Sequence, residues 1–207
     1  MSEIITQGSD EWLTMKLGVI SASNVSKAIA KKGTDSREGY LNELIGQIAT
    51  RESASIDGPA LRWGKENEQS ARSAYEFSTG FDVEEVPFVY GPDKRTGVSP
   101  DGFTNKRTRG CEIKCPFTTK VHIDFLLMDK IKIEYIYQCQ FSLFVTGLEV
   151  WDFCSYDKRM LNNQIKILPQ ERDIKLMERF QNDIGEFILD MDKQLARLDL
   201  KFGDQWV

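Results

Sequence analysis

The stretch from residue 97 to residue 116 constrains the fold more than any other part of the chain. It contains Ser99-Pro100-Asp101-Gly102 and, after a polar insert, Glu112-Ile113-Lys114. Pro100 suits a strand edge or a turn, and Gly102 suits a turn position with positive φ. Asp101 is therefore expected where a strand gives way to a turn. The insert from Asn105 to Gly110 is polar and ends in glycine, which predicts a hairpin loop. The returning strand then carries Glu112 back beside Asp101. Residues two apart in a strand face the same side, so Glu112 and Lys114 share a face while Ile113 points into the other layer.

Such a trio has a specific chemistry. Two adjacent carboxylates repel each other, and a hard divalent cation relieves that repulsion. Mg²⁺ takes oxygen ligands, commonly one or two carboxylates together with waters and a substrate phosphate. A neighbouring lysine can orient or deprotonate an attacking water and offset phosphate charge. In outline this is a site for phosphodiester hydrolysis. An ordinary hairpin with a charged wet face would show the same E-x-K triplet, so the rest of the chain has to decide.

The 207 residues fit one α/β domain, residues 1–207, with a substantial core. No apolar run of about 18 residues exists, so a membrane span is not expected. The first residues lack a basic flank and a long apolar stretch, so no secretory signal is expected either. The four cysteines, Cys111, Cys115, Cys139 and Cys154, are read as reduced thiols. Zinc would need more ligands, and the single histidine, His122, is read as a surface or capping residue. The formal net charge of −5 is awkward for a nucleic-acid enzyme. Seven basic residues nevertheless fall between Lys94 and Lys120 (Lys94, Arg95, Lys106, Arg107, Arg109, Lys114, Lys120), opposed there by Asp101 and Glu112. That arrangement predicts a basic island around the site in an acidic chain.

Read in order, Ser9-Asp10-Glu11 opens a short helix, and a second helix is expected from Ser21 to Lys32. Lys16 lies just upstream, and serines at a helix start expose N–H groups to an anion. Thr34 to Tyr40 reads as loop, followed by a helix with Leu41, Leu44, Ile45 and Ile48 at helical spacing. Pro59 begins a helix that Gly80 stops. Its stripe of Leu61, Gly64, Glu68, Ala71 and Tyr75 contains one anomalous acid, Glu68, which is either salt-bridged or a third carboxylate for the metal. Strands near Asp82 to Tyr90, Thr96 to Ser99 and Cys111 to Cys115 predict an antiparallel meander. A helix from Glu134 to Thr146 is apolar nearly all round and hence buried, so its Gln138 and Gln140 need hydrogen-bond partners. Two strands and a long amphipathic helix from Asp173 to Leu198 complete the chain.

Pro100-Asp101 followed by Glu112-x-Lys114 resembles the PD-(D/E)xK nuclease signature. More narrowly, the chain resembles the lambda-phage exonuclease family of viral recombination nucleases, which is YqaJ-like. The likeness extends from Gln7-Gly8 through Leu17 to Ser23, Trp63-Gly64-Lys65, Cys115-Pro116-Phe117-Thr118 and Gln140-Phe141-Ser142 to Phe202-Gly203-Asp204-Gln205-Trp206.

The resemblance implies a restriction-endonuclease-like α/β core, a mixed central sheet flanked by helices. It implies Asp101, Glu112 and the Ile113 carbonyl as metal ligands, Lys114 as the catalytic lysine, and Glu68 on a second metal. The cofactor would be Mg²⁺, two per active site, with Mn²⁺ as a substitute. Ser23, Ser99 and Gln140 match positions contacting the 5′-phosphate, and Leu61 matches an apolar wedge at the terminal base pair. Lys16 stands where the family has an arginine, and lysine lacks the planar fork for bidentate phosphate contact. The implied activity is processive 5′-to-3′ digestion of one strand of linear double-stranded DNA to mononucleotides, leaving a 3′ overhang. It would be carried out by a homotrimer ring that works beside a single-strand-annealing protein, in the cytoplasm of a bacterium hosting a phage or prophage. A same-fold endonuclease and a non-catalytic DNA-end-binding scaffold are the alternatives.

Overall fold

A computed structural model describes residues 5–53, 58–128 and 130–207. In chain order the elements are α1 (Asp10–Lys16), β1 (Ile20–Ser21), a 3₁₀ turn (Ala22–Asn24), α2 (Val25–Ala28), α3 (Asp35–Thr50), α4 (Pro59–Thr79), β2 (Val83–Glu84), β3 (Val89–Tyr90), β4 (Thr96–Val98), β5 (Gly102–Thr104) and β6 (Arg109–Lys114). Then come α5 (Thr119–Met128), α6 (Ile133–Thr146), β7 (Val150–Tyr156), β8 (Ile165–Glu171), α7 (Ile174–Arg197) and a closing 3₁₀ turn (Asp204–Trp206).

The strands form two sheets. The larger runs β2-β5-β6-β7-β8 and is mixed, with β6 and β7 parallel and its other neighbours antiparallel. The smaller runs β1-β4-β3, with β1 parallel to β4. The expected single meander is thus divided. The segment from Asp82 to Tyr90 breaks at Pro87, and β4 pairs with β1 and β3 instead of with the catalytic hairpin.

Both faces of the larger sheet are covered. Alternation along β6 and β7 sends Cys111, Ile113, Cys154 and Tyr156 to one face, where Ala71 and Tyr75 of α4 pack on them. Trp151 and Phe153 face the other way, into the main core with Phe125 of α5 and Phe141 of α6. Gly110 is required in β6 because a Cβ there would lie 2.3 Å from the Trp151 ring. Gly102 is not the positive-φ turn residue expected. It is a strand residue, and a Cβ on it would meet Val83 at 2.1 Å.

Three helix expectations change. Thr34 to Tyr40 is not loop, since α3 already starts at Asp35. Its inward residues there are Arg37 and Tyr40, both buried against α7: Arg37 bonds Asp190 at 2.8 Å, and the Tyr40 ring lies 5.8 Å from Phe187. The second helix is shorter than expected, a 3₁₀ turn followed by the single turn of α2. In α4 the buried residues are Asn67, Ala71, Arg72 and Tyr75, while Leu61 is exposed. Gly80 stops α4 in the left-handed conformation, φ 73°, as expected. Residues 54–57, within the polar stretch before Pro59, lie outside the described residues. No helix among the described residues is long and apolar enough to cross a membrane.

His122 is not at the surface. It is fully buried, with Nδ1 2.8 Å from the Ser155 hydroxyl and Nε2 2.9 Å from the Asn163 carbonyl. All four cysteines are free thiols.

Candidate active site

The hairpin places its charged residues as the alternation requires. Asp101 stands at the corner between β4 and β5, where its N–H donates to the Cys111 carbonyl at 3.2 Å. Its Oδ2 accepts from the Ile113 N–H, which pins the carboxylate against β6. Lys114 Nζ donates to Glu112 Oε1, and the same ammonium lies 5.2 Å from the Tyr135 ring of α6. Glu112 is 3% exposed, and its Oε2 has no hydrogen-bond partner among the described residues. A buried unpaired carboxylate oxygen is costly. Together with Asp101 it offers the hard oxygen donors that Mg²⁺ prefers, so the residues present fit such an ion.

The electrostatics agree. Burial, and after it the charge of Glu112, push the Asp101 carboxyl up to about 8, against the pull of Lys114 and the Ile113 N–H. Burial works against the Lys114 charge, but Glu112 and Asp101 more than offset it and raise its proton affinity above that of an ordinary lysine. The Lys114 proton is therefore firmly held, which suits charge compensation better than proton abstraction.

Glu68 comes from a different element, α4. Helix α4 covers the Cys111 and Ile113 face, opposite to Glu112 and Lys114. The Glu68 carboxylate is not buried in an apolar stripe. It is 38% exposed and bonds Arg72 at 3.0 Å, and Arg72 also reaches Glu85 at 2.6 Å. Glu68 still adds to the field at Asp101. Among the described residues, no three His, Cys, Asp or Glu side chains come close enough to hold a metal ion.

The residues expected at a terminal phosphate fall into two groups. Ser21 pairs with Gly97 across the parallel strands β1 and β4, so Ser23 and Ser99, each two residues on, leave the sheet at the same end as Asp101. Among the described residues the buried Ser99 hydroxyl has no partner, and the Ser23 hydroxyl lies 3.2 Å from that of Ser21. Lys16 closes α1 with its ammonium 3.7 Å from the Trp12 ring and no carboxylate partner among the described residues. Burial lowers its pKa to about 8. The segment is fastened beside the Ser99–Asp101 loop by Gln7 Nε2 donating to the Pro100 carbonyl and Trp12 Nε1 donating to the Pro87 carbonyl, both at 2.8 Å.

Gln140 belongs elsewhere. Its amide donates to the Glu171 carbonyl at 2.7 Å and accepts from the Asp173 N–H at 2.9 Å, so both ends are consumed in tying α6 to the start of α7. The glutamine that sequence reasoning passed over is Gln138. It lies three residues beyond Tyr135 on the helix face that meets Lys114, and its side-chain amide has no hydrogen-bond partner among the described residues. No sequence signal separated the two glutamines, since the contact of Tyr135 with Lys114 exists only in the fold.

The basic island is largely neutralised from within. Of its seven residues, five are paired: Arg95 with Asp192, Arg107 with Glu84, Arg109 with Asp152, Lys114 with Glu112 and Lys120 with Asp124.

Comparison with known proteins places this geometry. Residues 11–149 match the model of the YqaJ-like viral recombinase domain. The crystal structure of an alkaline exonuclease from Laribacter hongkongensis is 33% identical with a TM-score of 0.85, over 92% of this chain and 96% of that one. The same enzyme in complex with dAMP gives 34% identity over the same shares and the same TM-score. A phage related exonuclease from Haemophilus somnus has a TM-score of 0.70 over 87% of this chain and 96% of that one, at 12% identity, a likeness of fold alone. ExoD of Escherichia coli is 38% identical over 78 residues, which are 38% of this chain and 90% of that protein. The hairpin of Asp101, Glu112 and Lys114 thus sits in a PD-(D/E)xK α/β fold, and the chain belongs to the YqaJ-like viral recombinase family.

Proposed function

We propose that this chain is a Mg²⁺-dependent 5′-to-3′ exonuclease on linear double-stranded DNA that releases mononucleotides and leaves a 3′ overhang for strand annealing. The observation that carries the proposal is the convergence of Asp101, Glu112 and Lys114 with the Glu112 Oε2 left unpartnered in a buried site. The family and the related alkaline exonuclease support DNA exonuclease chemistry.

Asp101, Glu112 and the Ile113 carbonyl would hold the cation. When bound, it supplies Lewis-acid activation of the scissile phosphate and of a water. Lys114 stays protonated and offsets charge gathering on the phosphoryl oxygens. Ser99 and Ser23 would offer hydroxyls, Lys16 its ammonium and Gln138 its amide to a terminal 5′-phosphate. Leu61, 43% exposed in the first turn of α4, is available as the apolar wedge at the last base pair. Glu68, whose Oε1 accepts from Arg72 Nη2, would offer its other oxygen to a second cation. The assembly proposed is a homotrimer ring, with a single-strand-annealing protein as partner and the bacterial cytoplasm as setting.

Linear duplex DNA labelled at a 5′ or a 3′ end, digested with and without Mg²⁺, tests the proposal. Mononucleotides released from the 5′ end only with Mg²⁺ are expected. Cutting of covalently closed duplex would replace the exonuclease with the endonuclease alternative, and binding of ends without any hydrolysis would leave only the scaffold. Sedimentation at micromolar concentration reads the trimer independently, and a monomer mass would remove the ring.

A further inference from the structure

A cluster beside the catalytic strand has no part in the hydrolysis. Phe117, three residues beyond Lys114, is 52% exposed, yet its place is fixed. Its ring packs nearly perpendicular to that of Trp63 from α4, with centroids 6.3 Å apart and planes at 81°. The Arg159 guanidinium lies 4.4 Å from the Trp63 ring. All three of its nitrogens are engaged: Nε and Nη2 with the buried Asp157 at 2.8 Å, Nη1 with the Phe117 carbonyl and Nη2 with the Pro116 carbonyl, both at 3.0 Å. Arg159 is therefore a rivet. Its charge is matched by Asp157, and it locks the loop after β6 to the turn after β7. Lys158 is different. It is exposed, lies 5.2 Å from the same Trp63 ring, and has no carboxylate partner among the described residues.

A rigid aromatic pair flanked by an uncompensated cation has a recognisable use. Bases stack on aromatic rings whatever their sequence, and the cation takes the adjoining phosphate. A duplex hides its base faces, so the partner that fits is a single strand. We infer that Trp63 and Phe117 form a stacking shelf for unpaired bases of single-stranded DNA, with Lys158 on a neighbouring phosphate. The assignment to DNA rests on the exonuclease reading: Phe117 follows Lys114 by three residues in the chain, and digestion of one strand leaves the other unpaired.

The test is fluorescence anisotropy, in chelator, of a labelled oligothymidylate and of a blunt hairpin duplex. Phe117→Ala should weaken the single strand about 5- to 10-fold and leave the duplex unchanged, and Phe117→Trp should keep the affinity. Lys158→Gln should flatten the dependence of log Kd on log salt by about 0.7. Single-strand affinity unchanged in Phe117→Ala, or lost equally for the duplex, would overturn the shelf. The digestion assay separates the two ideas. If the wild type digests duplex while Phe117→Ala binds single strands normally, the shelf alone fails. If the wild type does not digest but Phe117→Ala loses single strands, the shelf stands without the exonuclease.

Discussion

Cation binding to this protein should release a proton. With the Asp101 carboxyl at about 8, the metal-free site at pH 7 is mostly protonated there. A divalent ion needs the carboxylate, so binding must expel that proton. Each pH unit below about 8 should then weaken the apparent affinity ~10-fold, flattening above it. Calorimetric titration of Mn²⁺ without DNA, at pH 6, 7, 8 and 9, gives the slope. Repeating pH 7 in buffers of different ionisation enthalpy counts the proton, expected to be about one. Glu112→Gln removes the like charge but not the burial, so the pH dependence of the residual binding should move to lower pH while staying above the ordinary carboxylate range. Stability follows the same linkage. The folded-state value lies above the unfolded one, about 3.9. The contribution of Asp101 is therefore complete below about 4 and lost as pH rises through about 8, so metal-free melting temperature should fall across that range and Asp101→Asn should remove the fall. A Kd constant from pH 6 to 8, with binding heats indifferent to buffer, would refute the reasoning.

Three other expectations follow. Asp152→Ala strips Arg109 and the Tyr75 hydroxyl of their shared buried partner and should cost ~3–5 kcal/mol in urea unfolding, whereas Tyr75→Phe should cost ~1–2 kcal/mol; similar losses would break the network apart. Lys16→Ala should narrow the rate gap between 5′-phosphorylated and 5′-hydroxyl ends, and an unchanged gap removes Lys16 from the pocket. Gln138→Ala should reduce that gap with little change in melting, while Gln140→Ala should leave the gap intact and destabilise by ~1–3 kcal/mol, because it frees two buried backbone groups; the reverse pattern would restore Gln140 to the pocket.

The hairpin was readable in the sequence because its information is local: a proline corner, a polar loop and a two-residue period suffice to set Asp101 against β6 and Lys114 against Glu112. The stop at Gly80 and the all-round apolar face of α6 were readable for the same reason. What escaped depended on distant partners. Arg37 and Tyr40 look like loop residues until Asp190 and Phe187, some 150 positions on, give them somewhere to be buried. His122 looks superficial until Ser155 and Asn163 close around it. Glu68 looks like a buried acid in the sequence because helical spacing reveals a stripe but not which layer it faces, and Arg72 lies one turn along. The basic island failed similarly, since Asp152 and Asp192 come from β7 and α7. Two neighbouring glutamines in one buried helix could be separated only by seeing which amide the backbone had already taken.

Ser99 and Asp101 are separated by Pro100 alone, and the Pro100 carbonyl is braced by Gln7. Where Ser99 receives the end of a strand, Pro100 becomes a gauge block: one inflexible residue sets the distance from the end of the substrate to the point of scission, and so the length of what is cut off. Product size would then be dictated by backbone and not by the choice of side chains in the pocket. Lengthening that block by a residue should change the unit of digestion itself, from single nucleotides toward longer fragments.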